Sequence, residues 1–135
     1  MAFARYDEIM SSPSAKIIDG KAVAASIRAD CKARVAALKQ KGIVPGLAVV
    51  LVGSDPASAV YVRNKIRACE EVGIRSVKRV FPATIGMDEL LETIRSLSED
   101  PSIQGMLLQL PLTHRLDAPG IVKAVPGEKD VDGFH

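Results

Sequence analysis

Tyr61 and Lys65 stand four residues apart in the stretch ASAVYVRNKIRACEEVGI, from Ala57 to Ile74. On a helix that spacing stacks a phenol and an amine on one face. Such a pair can hold a ring and move a proton, or it can be an ordinary solvated face. Tyr61 alone reads as a half-buried ring with its hydroxyl at the surface. Lys65 alone reads as a solvated cation. Gln109 interrupts the apolar run MLLQLPL, and a buried amide there needs partners, from the protein or from a ligand. Asp132 is the second acid of KDVDG, where two acids beside Gly133 suit a turn as well as a binding site. His114 and His135 have no companions at ligand spacing, so no metal is expected.

The elements that must position these residues follow from pattern. KIIDG opens the ordered part, with Ile17 and Ile18 as a short strand and Asp19 as the cap of a helix. Val23, Ile27, Cys31, Val35 and Leu38 make one apolar stripe on that helix, which ends at Gly42. GLAVVLVG, from Gly46 to Gly53, is apolar on both faces and reads as a central parallel strand. Asp55 or Ser54 then caps a helix with Pro56 in its first turn, running to about Val72 and stopping at Gly73. RSVKRVF alternates polar and apolar residues, as a strand near an edge does. MDELLETIRSLSED is a helix with Leu90, Leu91, Ile94 and Leu97 on one side, and IQGMLLQLP is a second buried strand. A short helix near Asp117 to Val125 leads into PGEKDVDGFH.

Strands alternating with helices imply a three-layer α/β/α domain on a mostly parallel sheet, the α/β class. In such a sheet ligands bind beyond the carboxyl ends of the strands. By that rule Tyr61, Lys65, Gln109 and Asp132 are expected to converge on one rim.

With 135 residues, 47% of them hydrophobic, the chain can bury a core without disulfides or metal. A formal charge of +2 is too small to argue for nucleic acid, and with no Trp and 4% aromatics there is no stacking platform for single strands. Cys31 and Cys69 read as small buried hydrophobes of a reducing compartment. No apolar run approaches the ~18 residues of a membrane span. Residues 1–15 lack an apolar signal core, and Asp7 and Glu8 argue against a transit peptide; a loose tail and a cytoplasmic protein are expected.

Tyr-x-x-x-Lys is also the acid pair of short-chain dehydrogenases, but no G-x-G-x-x-G precedes it here. VGSDPAS lacks the Gly-Lys-Ser/Thr ending of a phosphate loop.

Taken together, KIIDGKAVA, PGLAVVLVGSDPASAVYVRNKIRACEEVGI, GMLLQLPL and PGEKDVDGFH resemble the catalytic domain of the bifunctional methylenetetrahydrofolate dehydrogenase/methenyltetrahydrofolate cyclohydrolase family. The resemblance implies a folate-binding catalytic domain over residues 16–135 and a place in one-carbon metabolism and purine biosynthesis. It implies that Tyr61 stacks on the p-aminobenzoyl ring and that Lys65 is the key catalytic group. Gln109 would hold Lys65 and the reacting centre, and Asp132 would anchor the pterin. A carboxylate can accept from the neighbouring N–H groups of a pterin. The methenyl intermediate is a cation, which disfavours the ammonium form of a lysine beside it and frees that amine to take a proton from water.

The family commonly has a second proline where this chain has Thr113. The family's NADP-binding domain, with its Pro-Gly-Gly and Gly-Arg-Ser loops, follows the KDVDG segment and is expected to be absent from this chain. The chain alone is therefore not expected to bind NADP or transfer hydride. The full-length enzyme is expected to use NADP, to dimerise with itself, and to need neither nucleic acid nor membrane. Arg63, Arg67 and Lys78 read as solvated charge, with a folate polyglutamate tail as the alternative. The competing class is a truncated non-catalytic module that binds folate or a partner.

Overall fold

The computed structural model describes residues 17–134. Helix α1 spans Gly20–Gln40, strand β1 Gly46–Val52, helix α2 Pro56–Val72, strand β2 Arg75–Phe81, helix α3 Met87–Glu99, strand β3 Gly105–Gln109 and helix α4 Ala118–Ala124. The sheet has three strands in the order β2-β1-β3. Both pairings are parallel, with Gly46 opposite Arg75 and Leu47 opposite Gly105. The central place of β1 follows from its composition, since only a strand covered on both faces and both edges can be apolar throughout.

Alternate residues of β1 feed two separate cores. Ala48, Val50 and Val52 pack with Met106 and Leu108 of β3 and with Leu90, Ile94, Leu97 and Ile121 of α3 and α4. Val49 and Leu51 pack with Leu107 and with Val62 and Ile66 of α2. The sheet thus lies between helices on each side, the three-layer α/β arrangement expected from the sequence. Leu90, Ile94 and Ile121 are essentially sealed from solvent, and each such side chain contributes about 1.5–3 kcal/mol relative to exposure.

Two expectations about the amino-terminal part are corrected. Ile17 and Ile18 form no strand; they are extended chain, 88% and 89% exposed, with no neighbouring strand to pair with among the described residues. Two residues ahead of a helix cap have no ladder partner, so their β preference is not realised. The apolar stripe of α1 is buried only at Val35, while Val23 and Ile27 are 53% and 58% exposed and Leu38 is at the surface. The helix lies against α2, with Val35 beside Gly73 and Arg28 paired to Glu71 at 3.4 Å, and not flat on the sheet. Cys31 is accordingly half-buried, and Cys69 is buried as expected. The expected tail over residues 1–15 lies outside the described residues.

Candidate functional site

The site begins at the turn after β1. Gly53 takes φ +86°, which brings the chain out of the sheet, and its N–H donates to Phe81 O at 2.8 Å. Asp55 is the residue that caps α2: its Oδ2 accepts from the Ser58 N–H at 2.6 Å. That hydrogen bond holds the Asp55 carboxyl below the usual carboxylate range. Ser58, Val62, Cys69 and Val72 form the buried line of α2. Tyr61 and Lys65 flank this line, one turn apart, with Tyr61 61% exposed and Lys65 half-buried.

Gln109 ends β3 and meets Lys65. The Lys65 Nζ donates to Gln109 Oε1 at 3.3 Å, and Gln109 Nε2 donates to Leu110 O at 2.8 Å. The amide that breaks the apolar run therefore finds protein partners at both ends. Each partner keeps spare capacity: the ammonium has two further donors, the amide one further N–H and one lone pair. A ligand placed at this rim meets a cation whose direction is set by a neutral amide.

Asp132 is not in hydrogen-bond contact with Lys65 or Gln109. The chain reaches it through a parallel bridge between Met106 and Asp130, so the residues that follow run toward the same carboxyl rim as β3. Asp130 Oδ1 accepts from the N–H groups of Asp132 and Gly133 at 3.0 and 3.1 Å, closing a turn. The carboxylate of Asp132 is exposed and makes no hydrogen bond among the described residues. The structure thus joins Lys65 to Gln109, sets Tyr61 on the same flank of α2, and relates Asp132 to them by strand direction alone.

A family model described as tetrahydrofolate dehydrogenase/cyclohydrolase, catalytic domain, matches residues 18–132. The chain belongs to the tetrahydrofolate dehydrogenase/cyclohydrolase family. It is 56% identical over 122 residues to the bifunctional protein FolD of Bordetella bronchiseptica, covering 90% of this chain and 43% of that relative. Its fold is similar to that of the bifunctional FolD enzyme, a methylenetetrahydrofolate dehydrogenase/cyclohydrolase, from Campylobacter jejuni, with TM-score 0.85, 45% identity, and coverage of 87% and 42%. It is also similar to the N5,N10-methylenetetrahydrofolate dehydrogenase-cyclohydrolase of Trypanosoma brucei, whose structure holds NADP and an inhibitor. The TM-score there is 0.83, at 32% identity and coverage of 88% and 41%. The chain therefore spans less than half the length of these relatives. All four candidate residues fall inside the matched segment of the family's catalytic domain.

The starts of α1, α2 and α3 do not suit the pyrophosphate of a dinucleotide. A pyrophosphate needs free N–H groups at a helix start. The start of α1 is closed by Asp19, whose Oδ1 accepts from Lys21 and Ala22 at 3.0 Å each, and that of α2 by Asp55. The first turn of α3 carries Asp88 and Glu89, which repel phosphate. Among the described residues no group of His, Cys, Asp and Glu could hold a metal ion, and no helix is long and apolar enough to cross a membrane.

A groove of about 540 Å³ lies elsewhere, on the flank of α2 that faces β2, lined by Ala59, Arg63, Ile66, Arg67, Glu70 and Lys78. It is separated from Lys65 by the helix itself, so its size does not make it the reaction site. The lysine of KDVDG escaped the sequence reading. Lys129 Nζ donates to the carbonyls of Ser98 and Asp100 at 2.5 and 3.1 Å, a contact across 31 and 29 residues of chain that no local pattern announces.

Proposed function

We propose that this chain is the folate-holding half of an enzyme that oxidises 5,10-methylenetetrahydrofolate with NADP and hydrolyses 5,10-methenyltetrahydrofolate to 10-formyltetrahydrofolate. The observation that carries this reading is the Lys65–Gln109 contact at the carboxyl rim of the sheet, inside the family's matched catalytic segment. The open ring of Tyr61 gives the p-aminobenzoyl group a face to stack on. Asp132 supplies an outward carboxylate for the pterin N–H groups.

In the hydrolytic step the cationic substrate beside Lys65 disfavours its ammonium form; water adds to the methenyl carbon and one of its protons passes to the freed amine. The carbinol oxygen then gives up its proton and closes to C=O as the bond from that carbon to the ring nitrogen breaks; the nitrogen keeps the electron pair and takes a proton, and the formyl group remains on the other nitrogen. One proton is released overall. Gln109 aims Lys65 throughout by accepting from its Nζ. NADP, where the whole protein holds it, would supply the hydride acceptor of the oxidative step, and the residues named here would hold only the folate. Self-dimerisation, a cytoplasmic site and a supply of formyl groups to purine biosynthesis complete the proposal for that whole protein.

A second reading is a module that binds folate or a partner without turnover. It is favoured by the open apolar side chains of Ile17, Ile18, Val23 and Ile27. Loss of the methenyltetrahydrofolate chromophore separates the two. Decay above buffer hydrolysis is expected with the chain and not with Lys65→Met, while Lys65→Met still binds tetrahydrofolate. Identical decay in both overturns the role of Lys65 in this chain.

A further inference from the structure

We infer that Lys129 is a positioning residue for Asp132, tying the KDVDG loop to the carboxyl end of α3. This inference rests on the folate reading only for what Asp132 binds; the tie itself stands on geometry.

The end of α3 lacks a cation of its own: its last turn contains no basic residue. The carbonyls there carry partial negative charge and attract a cation from outside the helix, even at Asp100 O, which also accepts from the Ile103 N–H at 3.1 Å. Lys129 supplies it, with Nζ donating to Ser98 O and Asp100 O. The Asp100 side chain adds to the attraction. Its carboxyl is held below the usual range, first by the Ser102 hydroxyl and N–H, with the charges of Arg75 and Lys129 acting in the same direction.

The backbone of Lys129 is fixed as well. Its carbonyl accepts from Met106 N at 2.7 Å, and its N–H donates to Pro126 O at 2.9 Å. Val131 N returns a bond to Met106 O at 3.4 Å. Val131 also lies so close to β3 that a Cβ at Gly105 would come within 2.6 Å of its Cγ1, a spacing only glycine permits. One residue after Lys129, Asp130 folds over the N–H groups of Asp132 and Gly133. Three ties in sequence therefore hold the backbone that carries Asp132, whose carboxylate makes no side-chain hydrogen bond among the described residues. The direction of Asp132 follows its backbone, and of the three ties on that backbone only Lys129 reaches α3. Without the ammonium, the loop keeps its bridge at Met106 and the packing of Val131 on Gly105 but loses its tie to the end of α3.

The test is amide hydrogen exchange and tetrahydrofolate binding on the chain and on Lys129→Met. Exchange at Asp132 and Gly133 is expected to quicken at least tenfold, with the β1 amides of Val49 and Val50 unchanged. Tetrahydrofolate binding is expected to weaken about tenfold, as a charge-assisted contact does when its direction is no longer held. Lys129→Arg, which keeps a cation at the end of α3, should restore both. Unchanged exchange at Asp132 overturns the inference, as does faster exchange with unchanged binding. A rise in exchange that includes β1 marks a general loss of structure and also overturns it. If Lys129→Met does not fold, Lys129→Gln is read by the same criteria. A wild-type chain that binds no tetrahydrofolate sinks the folate reading instead, and the exchange rates then decide the tie alone.

Discussion

Replacing Gln109 by Leu removes both hydrogen bonds of the amide while keeping its bulk. The bond to Leu110 O, at 2.8 Å, joins two neutral groups in a half-buried place and is worth about 0.5–1.5 kcal/mol net. The bond from Lys65 Nζ is charge-assisted but long, at 3.3 Å, and open to water on one side, so it adds about 0.5 kcal/mol, the lower half of what exposed charged contacts give. The sum is about 1–2 kcal/mol, or a melting temperature lower by roughly 4–7 °C for a chain of this size. Thermal unfolding of Gln109→Leu, Lys65→Met and the double variant measures it. The coupling between the two positions should be about 0.5 kcal/mol, since they share one contact. A Gln109→Leu chain as stable as wild type, with no coupling, would refute the reasoning, because the amide would then have had no protein partners to lose.

Asp55→Asn should cap α2 nearly as well at neutral pH but respond differently to acid. The Asp55 carboxyl is lowered from 3.8 by the Ser58 N–H, so the unfolded chain binds more protons. Its contribution is complete above that value and is lost as pH falls from there through the lower folded one. Acid titration followed by circular dichroism should show a wild-type loss in this range that is reduced in the variant. Gly73→Ala should destabilise by about 1–2 kcal/mol in urea unfolding, because the residue sits in the left-handed region at φ +87°. A Cβ there also meets Lys39 Nζ at 2.8 Å, and the flexible lysine can move aside, so the backbone cost dominates.

Much of the fold is legible in the sequence because its signals are local. Pro56 and Gly73 bound α2 by backbone chemistry, and the structure ends the helix where they stand. The run GLAVVLV names a strand covered on both sides, and β1 feeds a core on each. An apolar stripe is a weaker signal. Val23 and Ile27 show what α1 can bury, but not whether a neighbour is present to cover them. The candidate site divides in the same way. Lys65 and Gln109 are legible because one rule about sheet rims and one misplaced amide point to the same place. Lys129 is not, because its partners are carbonyls of a distant helix end, and carbonyls leave no trace in residue type.

The strand β2 is the outermost on its side of the sheet among the described residues, and it is charged in an uneven way. Arg75, Lys78 and Arg79 fall within five consecutive positions, while no acid occurs in the strand. An open strand edge is a template on which a second chain can add. If two copies met here, strands less than 5 Å apart would set like charges beside one another along most of their length. The same positive row that makes self-addition unfavourable would favour addition of an acidic strand, so this edge selects its neighbours by charge before any side-chain fit is tried.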